Sequence, residues 1–369
     1  MALTNFAALT PEQKLVWSRD VWSAARDQMF IKRFLGTSDN SMIQRITELT
    51  KTEKGEQVIM QLVADLVGDG VVGDNEREGN EEELKSYSDI ITIDQISNQV
   101  INKGKLADQK TVISFREQAR NKLAYWLANR TDQLALLTLS NVSYAYELNG
   151  KTRTESAFPS LAFAADVASA PSSKRHLRWD VGTPSTLVES PSTGDVAAGD
   201  YPTYQMVVDA CAYAKSHYVK PLMAGGREYY ILLMHPLAIA KLKRDQDFQR
   251  ALTTAAPRGL DNPWFTGASV TIDGAVIHEH RLVFNTSGAD SGSKWGGGTV
   301  DGTRTLLCGA QALGMADLGP PEWVEKKFQY DSQQGISVDK MFGLLKPKFH
   351  SIYDGAVQDF GCLCIDHAL

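Results

Sequence analysis

Long apolar runs are missing from this 369-residue chain. No stretch approaches the ~20 residues that span a bilayer, so no membrane contact is expected. Cysteine is scarce as well, with four in the whole chain. That number makes no disulfide framework, and the opening Met1-Ala-Leu-Thr-Asn-Phe6 has neither the charged nor the apolar region of a secretory signal. Reduced thiols and folding in a cytoplasm are the expectation. Excess positive charge is lacking too: a formal net charge of −6 argues against a protein built to clamp nucleic acid, though not against one lying beside it. Internal repeats, low-complexity tails, a nucleophile elbow and a Ser/His/Asp set are all absent.

What the chain does have is a pair of β-branched, apolar runs around a polar tip, between Gly55 and Val100. Val58, Met60, Leu62, Ala64 and Leu66 alternate on one face of the first run, with Ile59, Val63 and Val67 on the other. The second run holds Tyr87, Ile91 and Ile93. Two such runs read as a long antiparallel ribbon, and a two-stranded ribbon alone in water is marginal. The expected bed for it is a neighbouring copy of the same chain, met by Val58, Met60, Leu62, Leu66, Tyr87, Ile91 and Ile93. Before the ribbon, Thr10-Pro11-Glu12-Gln13 starts a helix carrying Trp17 and Trp22, an arm anchored on something large.

Beyond the ribbon, Ser114 to Ser140 predicts a helix roughly 40 Å long at about 1.5 Å per residue. Residues 151–202 shift to Ala, Ser, Pro, Gly and Thr, which predicts short strands or a surface excursion. Thr203 is placed to cap an amphipathic helix, and Tyr229–Met234 reads as a buried strand leading into a helix from Pro236 to about Leu252. Strand-like runs follow at Ser269–Ile272, Ala275–Phe284, Thr303–Cys308, Trp323–Tyr330 and Ile336–Leu345, with a mobile glycine-rich loop from Asn285 to Gly302. Helices and strands mix without regular alternation, which indicates an α+β class.

Several segments imitate chemistry. Gly68-Asp-Gly-Val-Val-Gly73 matches a dinucleotide fingerprint, but the acidic stretch after it is no helix, so it reads as a turn. Gly288–Lys294 misses the P-loop spacing. His278 and His280 would share one strand face but lack an evident third metal ligand, and Cys362-Leu-Cys364 lacks a companion pair. The acidic tip (Asp69, Asp74, Glu76, Glu78, Glu81, Glu82, Glu83) lacks the EF-hand order and reads as a solvated loop that discourages wrong pairing. No catalytic residue, cofactor or metal is expected.

As a set, Gly55–Leu66, Gly68–Asp74, Gly79–Leu84, Ile91–Gln95, Leu233–Pro236, Leu307–Ala312 and Asp331–Lys346 resemble the major capsid proteins of tailed bacteriophages. The likeness is to the podophage family typified by coliphage N-four and covers most of residues 1–350. It implies the Johnson fold. Residues 1–54 would be an N-terminal arm and 55–100 an extended loop. A peripheral domain at 101–202 would hold a spine helix at 114–140. An axial domain would follow at 203–305, then return strands to the periphery at 306–369. The resemblance also implies self-assembly as hexamers and pentamers into an icosahedral head in the host cytoplasm, enclosing double-stranded DNA without sequence-specific binding. A separate scaffolding protein and a portal are the implied partners, with a decoration protein left open. The alternatives are an encapsulin-like or minor shell protein of the same fold, and a nucleotide-binding enzyme using Gly68–Gly73.

Overall fold

The structure, a computed structural model, describes residues 29–47, 55, 57–63, 69–75, 77–79, 81–82, 86–105, 115–154, 157–167, 170–189, 191–255, 270–330, 332–351 and 355–369. The Thr10–Phe30 helix with Trp17 and Trp22 therefore falls almost wholly outside the described residues, as does Leu66.

In chain order the strands are β1 (Leu35–Gly36), β2 (Ile43–Ile46), β3 (Gln57–Val63), β4 (Ser86–Thr92) and β5 (Asp94–Ile101). Helix α1 (Phe115–Leu139) comes next, then β6 (His176–Asp180), β7 (Thr186–Glu189) and helix α2 (Tyr204–Ser216). β8 (Leu222–Ala224) and β9 (Arg227–Met234) lead into α3 (Pro236–Leu242) and α4 (Gln246–Ala255). The chain continues through β10 (Thr271–Ile272), β11 (Ala275–Glu279), β12 (Gly302–Cys308), β13 (Leu313–Asp317) and β14 (Glu322–Phe328). It ends with β15 (Gln333–Leu345), β16 (Lys348–His350), β17 (Val357–Asp359) and β18 (Cys362–Ala368).

Two sheets organise these elements. In the first, β15 pairs antiparallel with β5, β13 and β14, and β2 lies parallel between β13 and β1. The second runs β10–β11–β9–β12–β18–β6–β7, with β8 also on β9. β9 and β18 are buried along most or all of their length, and β12 throughout, which is why they read as unbroken apolar runs. Helix α1 fills the space between the sheets, burying Leu123, Leu127, Leu134 and Leu137 with Leu306, Ile336 and Phe342 in one core. A second core lies on the far face of the second sheet, where α2, α3 and α4 cover Leu232, Leu307 and Ile365.

A buried polar knot ties the three layers together at the C-terminus of α1. Arg304 on β12 donates to the Ser140 carbonyl at 2.6 Å and to both carboxylate oxygens of Asp366 on β18, and His176 on β6 meets Asp366 at 2.7 Å. Lys346, just past β15, donates to the Leu139 carbonyl at 3.0 Å and pairs with Asp359 at 3.1 Å. Two cations thus satisfy carbonyls that a helix end leaves without intrahelical partners, on the side where the helix dipole is negative. Burial works against the Asp366 charge, but the guanidinium beside it outweighs that and holds its pKa down at about 2.

Several expectations are met. Thr203 caps α2, accepting from the Met206 N–H at 3.3 Å, and the 151–202 segment yields the short strands β6 and β7. That segment is no mere surface excursion, because Leu177 and Trp179 are fully buried and β6 pairs with β18. β6 and β7 therefore sit in the same sheet as β9, and so do β12 and β18, rather than returning to the first sheet. The helix from Pro236 is two helices: Asp245 between them turns its carboxylate to the Tyr204 N–H at 2.7 Å, capping α2 instead of continuing α3. Residues 285–302 form an irregular but packed segment. Trp295 is buried and contacts Gly302, while Lys294 pairs with Asp301 at 2.6 Å.

Candidate assembly surface

β3 and β4 form the antiparallel ribbon, in the register Val58↔Ile91, Ile59↔Ile90, Met60↔Asp89 and Leu62↔Tyr87. Only Ile93 separates β4 from β5, yet β5 leaves the ribbon to pair with β15, so the ribbon ends at Thr92 and not at Val100. Opposite residues of an antiparallel pair share a face. One face carries Val58, Met60, Leu62, Tyr87 and Ile91; the other carries Ile59 and Ile90.

The first face lies on the chain's own first sheet. Val58, Met60, Leu62 and Ile91 are buried with Ala316, and Tyr87, Ile93, Ile46, Leu345, Phe349 and Phe360 pack around them. Here the expectation is corrected: these residues are not held back for a neighbour but bury their apolar surface within the molecule. The physical reason is two glycines. A Cβ on Gly314 would come within 2.9 Å of Met60 Sδ, and one on Gly343 would overlap the Thr92 carbonyl. Without side chains there, the sheet lets the ribbon lie flush. Polar contacts fix it in place: Asp166 accepts from the Thr92 N–H at 2.9 Å, Asp89 accepts from the Lys348 N–H at 2.6 Å, and Tyr87 packs on His350.

The second face has no such cover. Ile59 is 53 % exposed and Ile90 is 50 % exposed, side by side across the ribbon. Beyond them the tip exposes Val71 and Val72 among Asp69, Asp74, Glu78, Glu81 and Glu82, with Arg77 as the basic residue of that group. Sequence reasoning named the buried face because alternation marks it more cleanly. The signal for the exposed face, β-branched residues at the intervening positions, was present in the same seven residues.

The chemical look-alikes resolve into structure. Residues 69–73 form exposed coil and turn with no helix after them. His278 and His280 pack against Phe34 and Phe30, with the His280 and Phe30 rings stacked at 3.8 Å. Burial, with Arg281 and Arg33 nearby, pushes the His280 pKa down to about 4. Cys362 and Cys364 are buried beside Cys308 and Lys346, and burial raises the Cys364 thiol well above its ordinary range. Among the described residues no cluster of His, Cys, Asp and Glu has metal-holding geometry, and no helix is long and apolar enough to cross a membrane.

Comparison with known proteins agrees with this picture of a structural subunit. A family model described as phage capsid protein matches residues 5–369. The major capsid protein of Pseudomonas phage KPP25 is 53 % identical over 363 residues, covering 98 % of this chain and 96 % of the relative. Among solved structures, the capsid of Ralstonia phage GP4 superposes with a TM-score of 0.75 at 24 % identity, over 100 % of this chain and 97 % of that one. The cyanophage Pam1 capsid gives 0.71 at 18 % identity, over 100 % and 96 %. These likenesses show the Johnson fold of tailed-phage capsids, and with the match over nearly every residue they establish that this chain belongs to the phage capsid protein family.

Proposed function

We infer that this chain works as the major capsid protein of a phage head, a structural subunit that self-assembles with its own copies into an icosahedral shell. The observation that carries the reading is the full-length, 53 % identity to a phage major capsid protein, and the architecture suits it. A closed shell needs one surface to meet a different surface on the next copy, in contacts that close into rings. The ribbon supplies one such surface: rooted on its own sheet, it presents Ile59, Ile90 and an acidic tip outward.

In this reading copies associate as hexamers and pentamers. The first sheet with α1 is the peripheral domain, the second sheet with α2, α3 and α4 the axial domain, and residues 1–54 the N-terminal arm. The shell encloses double-stranded DNA, and a net charge of −6 suits a wall that does not grip the polymer it contains. A scaffolding protein and a portal would act with it in the host cytoplasm.

The test is expression of the full chain, alone and with its phage's scaffolding protein, followed by sedimentation and electron microscopy. Icosahedral particles are expected. A compact monomer under every assembly condition overturns the reading.

A further inference from the structure

Three of the four cysteines lie together beneath the C-terminal end of α1. Cys308 on β12 and Cys362 and Cys364 on β18 are fully buried in the core that α1 shares with the second sheet, and the Cys364 thiol donates to the Leu139 carbonyl at 3.6 Å. Cys211 is on α2, in the core on the other face of that sheet.

The β12–β18 ladder sets Cys308 directly opposite Cys362, and their sulfurs are 3.8 Å apart. One step along the same register, the Gly309 N–H donates to the Gly361 carbonyl at 2.7 Å. Hydrogen-bonded and non-hydrogen-bonded pairs alternate in an antiparallel ladder, so Cys308 and Cys362 form a non-hydrogen-bonded pair. The Cα atoms of such a pair are about 4.5 Å apart, inside the roughly 4.4–6.8 Å that a disulfide needs. A bond here requires the side chains to turn and leaves the backbone where it is. Cys364 has no such partner. It stands opposite Leu306, and two positions along one strand put it roughly 6.6 Å from Cys362, beyond the Cβ spacing of about 3.5–4.5 Å in a disulfide.

Position decides how readily the pair reacts. Cys308 is the last residue of β12 and Cys362 the first of β18, so the pair lies at the end of the ladder, where strands open first. Against this, the hydrogen bond with Cys308 and burial raise the Cys362 thiol above its ordinary range, while the Lys346 ammonium pulls it down. The thiolate is the nucleophile, so closure is slow and waits on local opening.

We propose that Cys308 and Cys362 are the site of a cross-strand disulfide, open in a reducing cytoplasm and closed by peroxide outside it. One sulfur, as its thiolate, attacks the O–O bond of hydrogen peroxide and becomes a sulfenic acid, and the departing hydroxide takes up the thiol proton as water. The second sulfur then attacks the sulfenic sulfur, the S–O bond breaks, and the hydroxyl leaves with the second thiol's proton as another water. Each sulfur gives up one electron, and the peroxide is reduced to two waters. The bond joins residues 54 positions apart, holds β18 to β12 beneath α1 and restricts the unfolded chain. Its formation does not depend on the shell reading. Its use does, since a particle leaving a cell passes from reducing to oxidising surroundings.

The test uses the unaltered full chain, assembled under reductant, freed of it and exposed to dilute hydrogen peroxide. Remaining thiols are blocked with iodoacetamide in denaturant, and the chain is mapped by peptide mass. A linked peptide pair joining Cys308 to Cys362 is expected, with Cys211 and Cys364 alkylated. The urea midpoint should rise by about 1 M and return when dithiothreitol is added. Cys308→Ala should abolish both effects and Cys211→Ala neither; the peptide map of the unaltered chain decides even where a variant fails to fold. Four alkylated thiols after peroxide, sulfinic or sulfonic acids without the linked pair, or a bond between any other two cysteines overturns the site. A linked pair with an unchanged midpoint overturns its use in hardening a particle. Sedimentation before peroxide is added reads particle formation separately, so failed assembly counts against the shell reading and leaves the peptide map to judge the bond.

Discussion

The polar knot at the end of α1 and the two ends of the first sheet are built on opposite principles. In the knot, Arg304, Asp366, His176, Lys346 and Asp359 are buried, and each finds its partner inside the chain. At the sheet ends, Ile59, Ile90, Val72, Ile101 and Tyr330 are exposed around charges that look outward. One region spends its chemistry on closing the fold, the other leaves it on the surface. A shell subunit needs both, because it must be a rigid monomer before it is a lattice point.

If that contrast holds, the largest effect of a single change belongs to the knot. Arg304→Met leaves the Asp366 carboxylate buried without its main partner and the Ser140 carbonyl without its donor. A loss of about 3–5 kcal/mol is expected, read by urea unfolding of the unassembled subunit. Soluble folded subunit at wild-type stability would show the knot to be dispensable.

The ribbon gives the next test, since its two faces should fall on opposite sides of the comparison. Ile91 is fully buried, so Ile91→Ala should cost roughly 2–5 kcal/mol of subunit stability. Gly343→Ala forces a methyl into the Thr92 carbonyl and should lift the ribbon root, at about 1–3 kcal/mol in the same measurement. Ile90→Asp sits one residue from Ile91 but on the exposed face. It should change subunit stability by no more than about 0.5 kcal/mol and still reduce particle yield on electron micrographs. Equal effects of Ile90→Asp and Ile91→Ala on subunit unfolding would erase the distinction between the faces.

How far the sequence told this in advance depends on what decides each feature. Local features were readable: the ribbon's two runs, the α1 stripe, the Thr203 cap and the buried run before Pro236 are set by residues within one or two turns. Long-range partners were not. Period-two alternation says that Val58, Met60 and Leu62 share a face, but what covers it depends on Gly314 and Gly343, over 200 positions away. β13 and β18 were not picked out as strands. Both are buried along their whole length, so neither shows the alternation that marks a half-exposed strand, and β13 (Leu-Gly-Met-Ala-Asp) has no β-branched residue. The row of Lys326, Gly335 and Ile101 exists only because three strands from separate parts of the chain line up.

The smallest effect, and the finest probe of the comparison, is at the junction of Phe30 and Ile31 with α1 and β11. There the backbone N–H groups of Phe30 and Ile31 donate to the Asp132 carboxylate at 2.8 and 3.2 Å, and Phe30 stacks on His280. Burial raises the Asp132 pKa to about 6 and, with Arg281 and Arg33, lowers that of His280 to about 4. The signs oppose. From pH 6.5 down to about 4 an unfolded His280 takes up a proton that the folded one resists, so acid subtracts stability. From about pH 6 down to 3.8 the folded Asp132 holds a proton more tightly than the unfolded one, so acid adds stability. In the unaltered chain the two contributions largely cancel between pH 6 and 4. Asp132→Asn should expose the His280 slope, making stability fall more steeply with acid than in the parent, and His280→Asn should do the reverse. The readout is the difference in urea midpoint from the parent at pH 6.5, 5 and 4, which removes the titrations all three chains share. Slopes of the same sign for the two variants would mean that this junction is not held as described.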